Sequence, residues 1–391
     1  MTNGRREPAP FRIGVVADDL TGALDAGAGF AKAGMRVRVP LGPVGVPLPR
    51  HAIADADVIV INTASREGTA EDAHALARAA TLSLLRSGVT LLYKKVDSVL
   101  RGHPGPELAG MLSPLPPGTR ALVAPAFPAQ GRVTVGGVQL IHGTPAPMYG
   151  GRLRDAFVDA AAACDFHDAV DETALREIAE QGVDDGVRVW VGTAGLAAEL
   201  VPALIEKGLH FSGHEGESDE VGPWHEGRSV VVVAGSVHPT TVAQVAALAE
   251  TGVPHLAIDP QSPATWPSED DLVHAMVSGP CIVSTHSGLP TGELPSEWVA
   301  GAAELLNRVA AAVGRAIAHS SPPALVVTGG ETAQILFRRI SAVAIDVAGE
   351  VLPGIPNGSV SIGSITVPIV TKSGGFGAPG DLIEICRAAP E

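Results

Sequence analysis

Short apolar runs alternate with longer helix-period stretches along this chain. Ile13–Ala17, Arg36–Leu41, Asp57–Asn62, Thr90–Val96, Arg120–Pro125 and Arg188–Val191 read as strands, and Leu24–Ala33, Glu71–Leu85, Thr173–Gln181 and Gly195–Ile205 as helices between them. Residues 208–227 then turn polar and glycine-rich, with His214, Glu215, Glu217, Asp219 and Glu220, and read as a linker whose acidic run is a solvated spacer. A second alternation follows, with strands at Ser229–Ala234, His255–Ile258, Cys281–Thr285 and Ala324–Thr328 and helices at Thr240–Glu250, Trp298–His319 and Thr332–Ile340. The tail changes character, since Ala344–Leu352, Ser359–Val370 and Leu382–Cys386 read as short β-rich runs, antiparallel or mixed. No internal repeat is visible, although both halves open with a strand leading into a polar turn. The pattern predicts an α/β fold of two domains, 11–207 and 228–389, each with a mainly parallel sheet flanked by helices, the second with a mixed β-rich tail.

Composition sharpens this picture. A length of 391 residues suggests two or three domains. Hydrophobic residues make up 46% and aromatics only 4%, so Val, Ala, Leu and Ile must fill the core, as suits buried parallel strands covered by helices. A net charge of −15 argues against a general nucleic-acid binder but does not exclude small anionic ligands held by local Arg and Lys clusters. The three cysteines, Cys164, Cys281 and Cys386, are far apart and indicate neither a disulfide framework nor a zinc site. No signal-type core and no run approaching ~18 apolar residues is present, so no membrane partner and a cytoplasmic location are expected.

Candidate chemistry stands where predicted strands end. Ile13–Ala17 runs into Asp18 and Asp19, followed by Thr21 and Gly22. In a parallel sheet that junction is where ligands bind. Adjacent carboxylates repel unless they hold a cation, donors or a substrate hydroxyl; the plainer alternative is that Asp19 or Thr21 caps the next helix. Lys94-Lys95-Val96-Asp97-Ser98-Val99-Leu100-Arg101-Gly102 is a second junction. Strand alternation sends Lys94 and Val96 to one face and Lys95 and Asp97 to the other, so not every basic residue can meet one ligand. A guanidinium there suits a carboxylate or phosphate, against the alternative of a salt-bridged strand end. Ser65 and Arg66 follow a third strand and offer a hydroxyl and a second anion clamp, or only a helix-entry turn. Gln130, Gly131 and Arg132 combine hydrogen-bonding groups with permissive backbone, or simply lead into a hairpin.

The second half offers glycine-marked turns instead. Gly235-Ser236-Val237-His238 and Gly329-Gly330-Glu331-Thr332 each follow a strand and open a helix, whose N–H groups suit phosphates. Lys372-Ser373-Gly374-Gly375-Phe376-Gly377 adds a flexible loop with a cation. Together they suggest a nucleotide site, although no GxxxxGK[ST] is present and Gly27-Ala28-Gly29 lacks the third glycine of a dinucleotide fingerprint.

The stretches Ala17–Ala23, Lys94–Gly102 and Ala126–Arg132 resemble, in this order, the four-carbon acid sugar kinases, with similarity from about residue 12 to 386. The resemblance implies an N-terminal sugar-acid-binding domain and a C-terminal nucleotide-binding domain that phosphorylate D-threonate, D-erythronate or 3-oxo-tetronate at the terminal hydroxyl with ATP. It implies sugar-acid contacts at Asp18, Asp19, Ser65, Arg66, Asp97, Ser98, Arg101 and Gln130–Arg132, and ATP contacts at Ser236, Gly329–Thr332 and Gly374–Gly375. The chain departs from the family pattern at His103-Pro104, His238, Glu331 and Ala333-Gln334. Thr21 and Lys94 join the substrate set by position. Arg66 and Arg101 fit a carboxylate clamp, and Asp18 or Asp19, with Asp97 in reserve, would orient or deprotonate the attacking oxygen. Mg²⁺ on the ATP oxygens is expected, with no protein ligand assigned. The partners expected are the sugar acid and ATP, with a homodimer left open. The runner-up reading is a non-catalytic two-domain organic-acid-binding protein.

Overall fold

Ile13–Ala17 (β1) is buried at every position, as a strand covered on both faces must be. It opens the first of two units into which the chain divides, Met1–Glu215 and Gly216–Glu391. The structure is a computed structural model that describes residues 11–48, 52–209, 211, 225, 227–285, 296–319 and 321–387; most of the expected linker, 208–227, lies outside the described residues.

In the first unit β1 is followed by α1 (Leu20–Lys32), β2 (Val37–Pro40), β3 (Val58–Asn62), α2 (Ala70–Arg86), β4 (Leu91–Lys95), α3 (Pro104–Leu112) and β5 (Ala121–Ala124). Next come β6 (Arg132–Val135), β7 (Val138–Ile141), β8 (Thr144–Pro145), α4 (Leu153–Ala156), β9 (Cys164–Phe166), α5 (Glu172–Asp184), β10 (Val189–Gly192) and α6 (Ala194–Glu206). The main sheet has the order β2-β3-β1-β4-β10-β5-β9 and is parallel throughout. Strands β6, β7 and β8 form a separate antiparallel sheet. The core on the α2–α3 side is aliphatic, with Val16, Ile59, Ile61, Leu84 and Leu92 at its centre.

The second unit runs β11 (Val230–Ala234), α7 (Pro239–Glu250), β12 (His255–Ala257), α8 (Glu269–Ser278), β13 (Cys281–Ser284) and α9 (Ser296–Ile317). It continues with β14 (Ala324–Thr328), α10 (Gly330–Arg339), β15 (Ala344–Leu352), β16 (Ile355–Ile362), β17 (Ile365–Lys372) and α11 (Asp381–Arg387). Its order is β12-β13-β11-β14-β17-β16-β15, parallel as far as β17 and antiparallel in the tail. The mixed β-rich tail expected from sequence is present, with one correction. Leu382–Cys386 is not a strand but part of α11, because Leu382 and Ile385, three apart, bury one helical face in the core beside Val245 and Leu248 of α7. Helix α1 also starts four residues before the expected Leu24, where Asp19 caps it.

The two units share an order of construction that sequence did not reveal. From β1 the chain lays β2 two places to one side, fills the gap with β3, and crosses to β4 on the other side; β11, β12, β13 and β14 repeat this. Each unit therefore has a topological switch point, between β1 and β4 and between β11 and β14, where the carboxyl ends of strands leave a crevice.

Candidate active site

Three strand ends of the first unit meet at its switch point. Asp18 and Asp19 follow β1, Ser65 and Arg66 follow β3, and Asp97, Ser98 and Arg101 follow β4. Arg66 joins them. Its Nε donates to Asp18 Oδ2 at 2.7 Å and its Nη2 to Asp18 Oδ1 at 2.8 Å. The same Nη2 stands 2.9 Å from Asp19 Oδ1 and 3.7 Å from Asp97 Oδ2. One guanidinium thus offsets the mutual repulsion of three carboxylates. Arg66, expected with Arg101 to clamp a substrate carboxylate, turns Nε and Nη2 to protein carboxylates, and 13% of its side chain is exposed.

Each aspartate has a distinct setting. Asp18 is almost fully buried; burial alone would raise its pKa, but Arg66, with Lys94 and Lys95 behind it, pulls it below the usual carboxylate range. Burial likewise opposes the ionised form of Asp97, and hydrogen bonds from Arg101 overcome it and hold the carboxyl well below its ordinary value. Arg101 Nη2 lies 2.7 Å from Asp97 Oδ2. Asp97 Oδ1 also accepts from the Val99 N–H at 3.0 Å, which closes a turn that carries Leu100 at φ 65°. Leu100 holds that left-handed conformation because its side chain is locked in the core with Leu108 and Phe157. Asp19 is the most accessible of the three, at 21%. It caps α1 by accepting from Gly22 N at 2.9 Å, and Thr21 Oγ1 donates to it at 2.7 Å. The capping alternative is therefore realised for Asp19, together with the contact to Arg66.

Lysines 94 and 95 divide between the sheet faces as strand alternation requires. Lys95 Nζ reaches Asp25 of α1 at 3.3 Å. Lys94, expected among the substrate contacts, is instead wholly buried, with its ammonium 2.9 Å from Glu107 Oε2 on α3. The other Glu107 oxygen accepts from Ser65 Oγ at 2.6 Å, Ser65 Oγ is 2.8 Å from Thr63 Oγ1, and Thr63 donates to the Ala17 carbonyl at 2.9 Å. This chain ties the ends of β1, β3 and β4 to α3. Glu107, Thr63 and Asp25 were missed in the sequence reading. The one available signal was the two lysines inside an apolar strand, which demand buried acids as partners.

The Gln130–Arg132 turn is joined to the same place from the small sheet. Gln139 of β7 is buried and donates to the Ser98 carbonyl at 3.0 Å. Arg132 Nη1 donates to the Gln130 carbonyl at 2.7 Å, while its buried Nε has no partner among the described residues. Burial depresses the Arg132 pKa, with Asp97 acting in the opposite sense. Gly131 takes φ 68° against the His142 ring, so a Cβ there would collide with it.

In the second unit the three glycine turns lie at the ends of the neighbouring strands β11, β14 and β17. They pack closely: a Cβ on Gly235 would strike Thr332 Oγ1, and one on Gly374 would strike Ser236 Oγ. Gly329 sits at φ 96°, and its N–H donates to the Lys372 carbonyl at 2.8 Å. Gly330 and Glu331 open α10, with Glu331 exposed. Gly375 packs against the His238 ring, whose Nδ1 accepts from Thr240 N at 3.2 Å and so caps α7. Among the described residues no cluster of three His, Cys, Asp or Glu side chains is suited to a metal, and no helix is long and apolar enough to cross a membrane.

Residues 13–149 match the family described as a sugar-binding N-terminal domain, and residues 231–382 the family described as a nucleotide-binding C-terminal domain. The chain is 31% identical to a D-threonate kinase of Bordetella bronchiseptica, over 97% of this chain and 98% of that one. It belongs to the four-carbon acid sugar kinase family. Another relative in the family is a D-erythronate kinase of Heliobacterium modesticaldum, 26% identical over 92% of this chain and 93% of that one. A Salmonella typhimurium LT2 protein, whose crystal structure carries a provisional tRNA synthase label, has the same fold, with a TM-score of 0.74, 20% identity, and coverage of 96% of this chain and 98% of that one. The aspartate and arginine cluster lies within or at the ends of elements in the sugar-binding match, and the glycine turns lie in the nucleotide-binding match.

Proposed function

We propose that this chain transfers the γ-phosphoryl group of ATP to the terminal hydroxyl of a four-carbon sugar acid such as D-threonate, D-erythronate or 3-oxo-tetronate. The observation that carries the reading is the convergence of Asp18, Asp19, Asp97, Arg66 and Arg101 on one switch point. A tetronate brings a carboxylate and several hydroxyls. Arg101, with its side chain 55% exposed, and Arg132, with an unpartnered Nε, are the cations with donors to offer that carboxylate. Ser98 and Gln130 stand beside them to read hydroxyls.

Asp19 is favoured as the group that accepts the proton of the attacking hydroxyl, because Asp18 is enclosed by Arg66 and Asp97 is engaged by Arg101. As that O–H proton moves to the carboxylate, the hydroxyl oxygen bonds to the γ-phosphorus and the bridging oxygen leaves with ADP. Arg66 favours the ionised forms of Asp18 and Asp97 and holds them in register with Asp19 rather than gripping substrate. Ser236, Gly329, Gly330, Thr332, Gly374 and Gly375 are the proposed nucleotide contacts. Mg²⁺, when bound, neutralises phosphate charge. With no cluster of three ligating side chains among the described residues, it fits as an ion carried mainly by the nucleotide's own oxygens.

A coupled assay of ADP release across a panel of tetronic acids tests the proposal. Release that depends on one of them supports it, as does its loss in Asp19→Asn with an unchanged melting temperature, since Asn also caps helices well. If every tetronate leaves ADP release at background while still raising the melting temperature, the non-catalytic binding reading replaces it.

A further inference from the structure

The loop after β17 is held from behind by side chains that donate only to its carbonyls. Lys372 Nζ donates to the Ser373 carbonyl at 2.8 Å and to the Phe376 carbonyl at 2.9 Å. Thr241 Oγ1 of α7 donates to the Gly374 carbonyl at 2.8 Å. Gln244 Nε2, one turn on, donates to the carbonyls of Phe376 at 3.2 Å and Ala378 at 2.8 Å. In a trans peptide the C=O and the following N–H point in opposite directions. Turning the Ser373 and Gly374 carbonyls inward therefore turns the N–H groups of Gly374 and Gly375 outward. Neither N–H has a partner among the described residues, and glycine at both positions adds no side chain of its own beside Ser236 and the His238 ring, which pack against the pair.

Lys372 itself is unusual. Its side chain is wholly buried, its hydrogen-bond acceptors are neutral carbonyls, and its own carbonyl accepts from Gly329 N, so it also ties this loop to the turn that opens α10. A buried ammonium without a carboxylate in contact is costly unless an anion completes its surroundings.

We propose that Lys372 is a positioning residue: its buried ammonium, aided by Thr241 and Gln244, fixes the 373–378 loop so that the N–H groups of Gly374 and Gly375 receive a nucleotide phosphate, and its charge is completed by that phosphate. This rests on the kinase reading and deepens it. The charged or titratable groups on the elements around Lys372 are Asp381, Glu384, Cys386 and Arg387 on α11, Glu331, Arg338 and Arg339 on α10, and Glu250 on α7 with His238 at its start; β14 presents only Thr328 opposite it. Burial lowers the Lys372 pKa to about 8, with Asp381 acting the other way. A bound polyphosphate favours the charged form, so nucleotide binding takes up a proton near pH 8 and weakens as pH rises through that value.

Calorimetry of ADP binding to the full chain at pH 8, in two buffers of different ionisation enthalpy and without sugar acid, reads this directly. The expected result is uptake of about half a proton per ADP. In Lys372→Met that uptake disappears and affinity falls about tenfold or more. Its melting temperature holds or rises, because an apolar chain replaces a buried charge. Gln244→Met weakens ADP but keeps the proton uptake. Wild-type protein that binds ADP without proton uptake, or Lys372→Met that binds it as tightly as wild type, overturns the proposal and leaves the kinase reading standing. Wild-type protein that binds neither ADP nor inorganic triphosphate removes the nucleotide site itself.

Discussion

Arg66 shows how tertiary contacts add a task to a residue that the sequence marks only by its charge and position. From the sequence it was a cation beside a predicted strand end and therefore a ligand clamp. In the structure it offsets the charges of Asp18, Asp19 and Asp97, and without it Asp18 would be a buried carboxylate with no cation in contact. Arg66→Met should cost roughly 3–5 kcal/mol at pH 7, measured by denaturant unfolding. The sign with pH follows from the shifts. Asp18 and Asp97 have depressed values in the folded protein, so their contribution is complete above about 4 and is lost as pH falls through their folded values. In the variant the partner of Asp18 is gone and burial raises its pKa instead, so the deficit against wild type should narrow as pH falls from 7 toward 4. A deficit that is constant with pH would mean Arg66 acts only by packing.

Helix α3 is one of the elements that sequence reasoning did not find, and it holds Glu107, which ties three strand ends together from behind. Its start, Pro104-Gly105-Pro106, reads as a loop because proline and glycine punctuate chains, yet proline is well suited to the first turn of a helix. Its Gly110 lies against α2 so closely that a Cβ would collide with the His74 carbonyl. Gly110→Ala should therefore push α3 away from α2 and carry Glu107 with it. The expected outcome is a loss of about 1–3 kcal/mol in stability, together with a fall in kcat for the tetronate and little change in ADP affinity. Equal losses in kcat and ADP affinity would show a general disturbance rather than displacement of Glu107. The terminal helix α11 teaches a related lesson: a five-residue apolar run fits either period, and only the available core face decides.

At the scale of the whole molecule, the sugar-acid and nucleotide chemistries are assigned to separate sets of strand ends, which thermal shifts can separate. ADP at a hundred times its Kd should add about 2.7 kcal/mol of stability, and the substrate tetronate should add its own increment. Arg66→Met should abolish the tetronate shift and keep the ADP shift, and Lys372→Met should cut the ADP shift to about half or less at the same ADP concentration and keep the tetronate shift. Loss of both shifts in either variant would contradict that assignment. The sequence alone determined the α/β class, mainly parallel strands with a mixed tail, and the strand ends that bear polar residues, because apolar periodicity and strand-end chemistry are local properties written in consecutive positions. Tertiary structure alone decided which carboxylate stays accessible, that Arg66 and Lys94 face protein acids, that Glu107 ties strand ends of the first unit while Lys372 holds the loop after β17, and that both units are wound in the same strand order. Most of those outcomes depend on pairings between residues from 13 to more than 130 positions apart, such as Lys94 with Glu107, Lys95 with Asp25 or Thr241 with Gly374, and burial sets their energies only after the chain has folded.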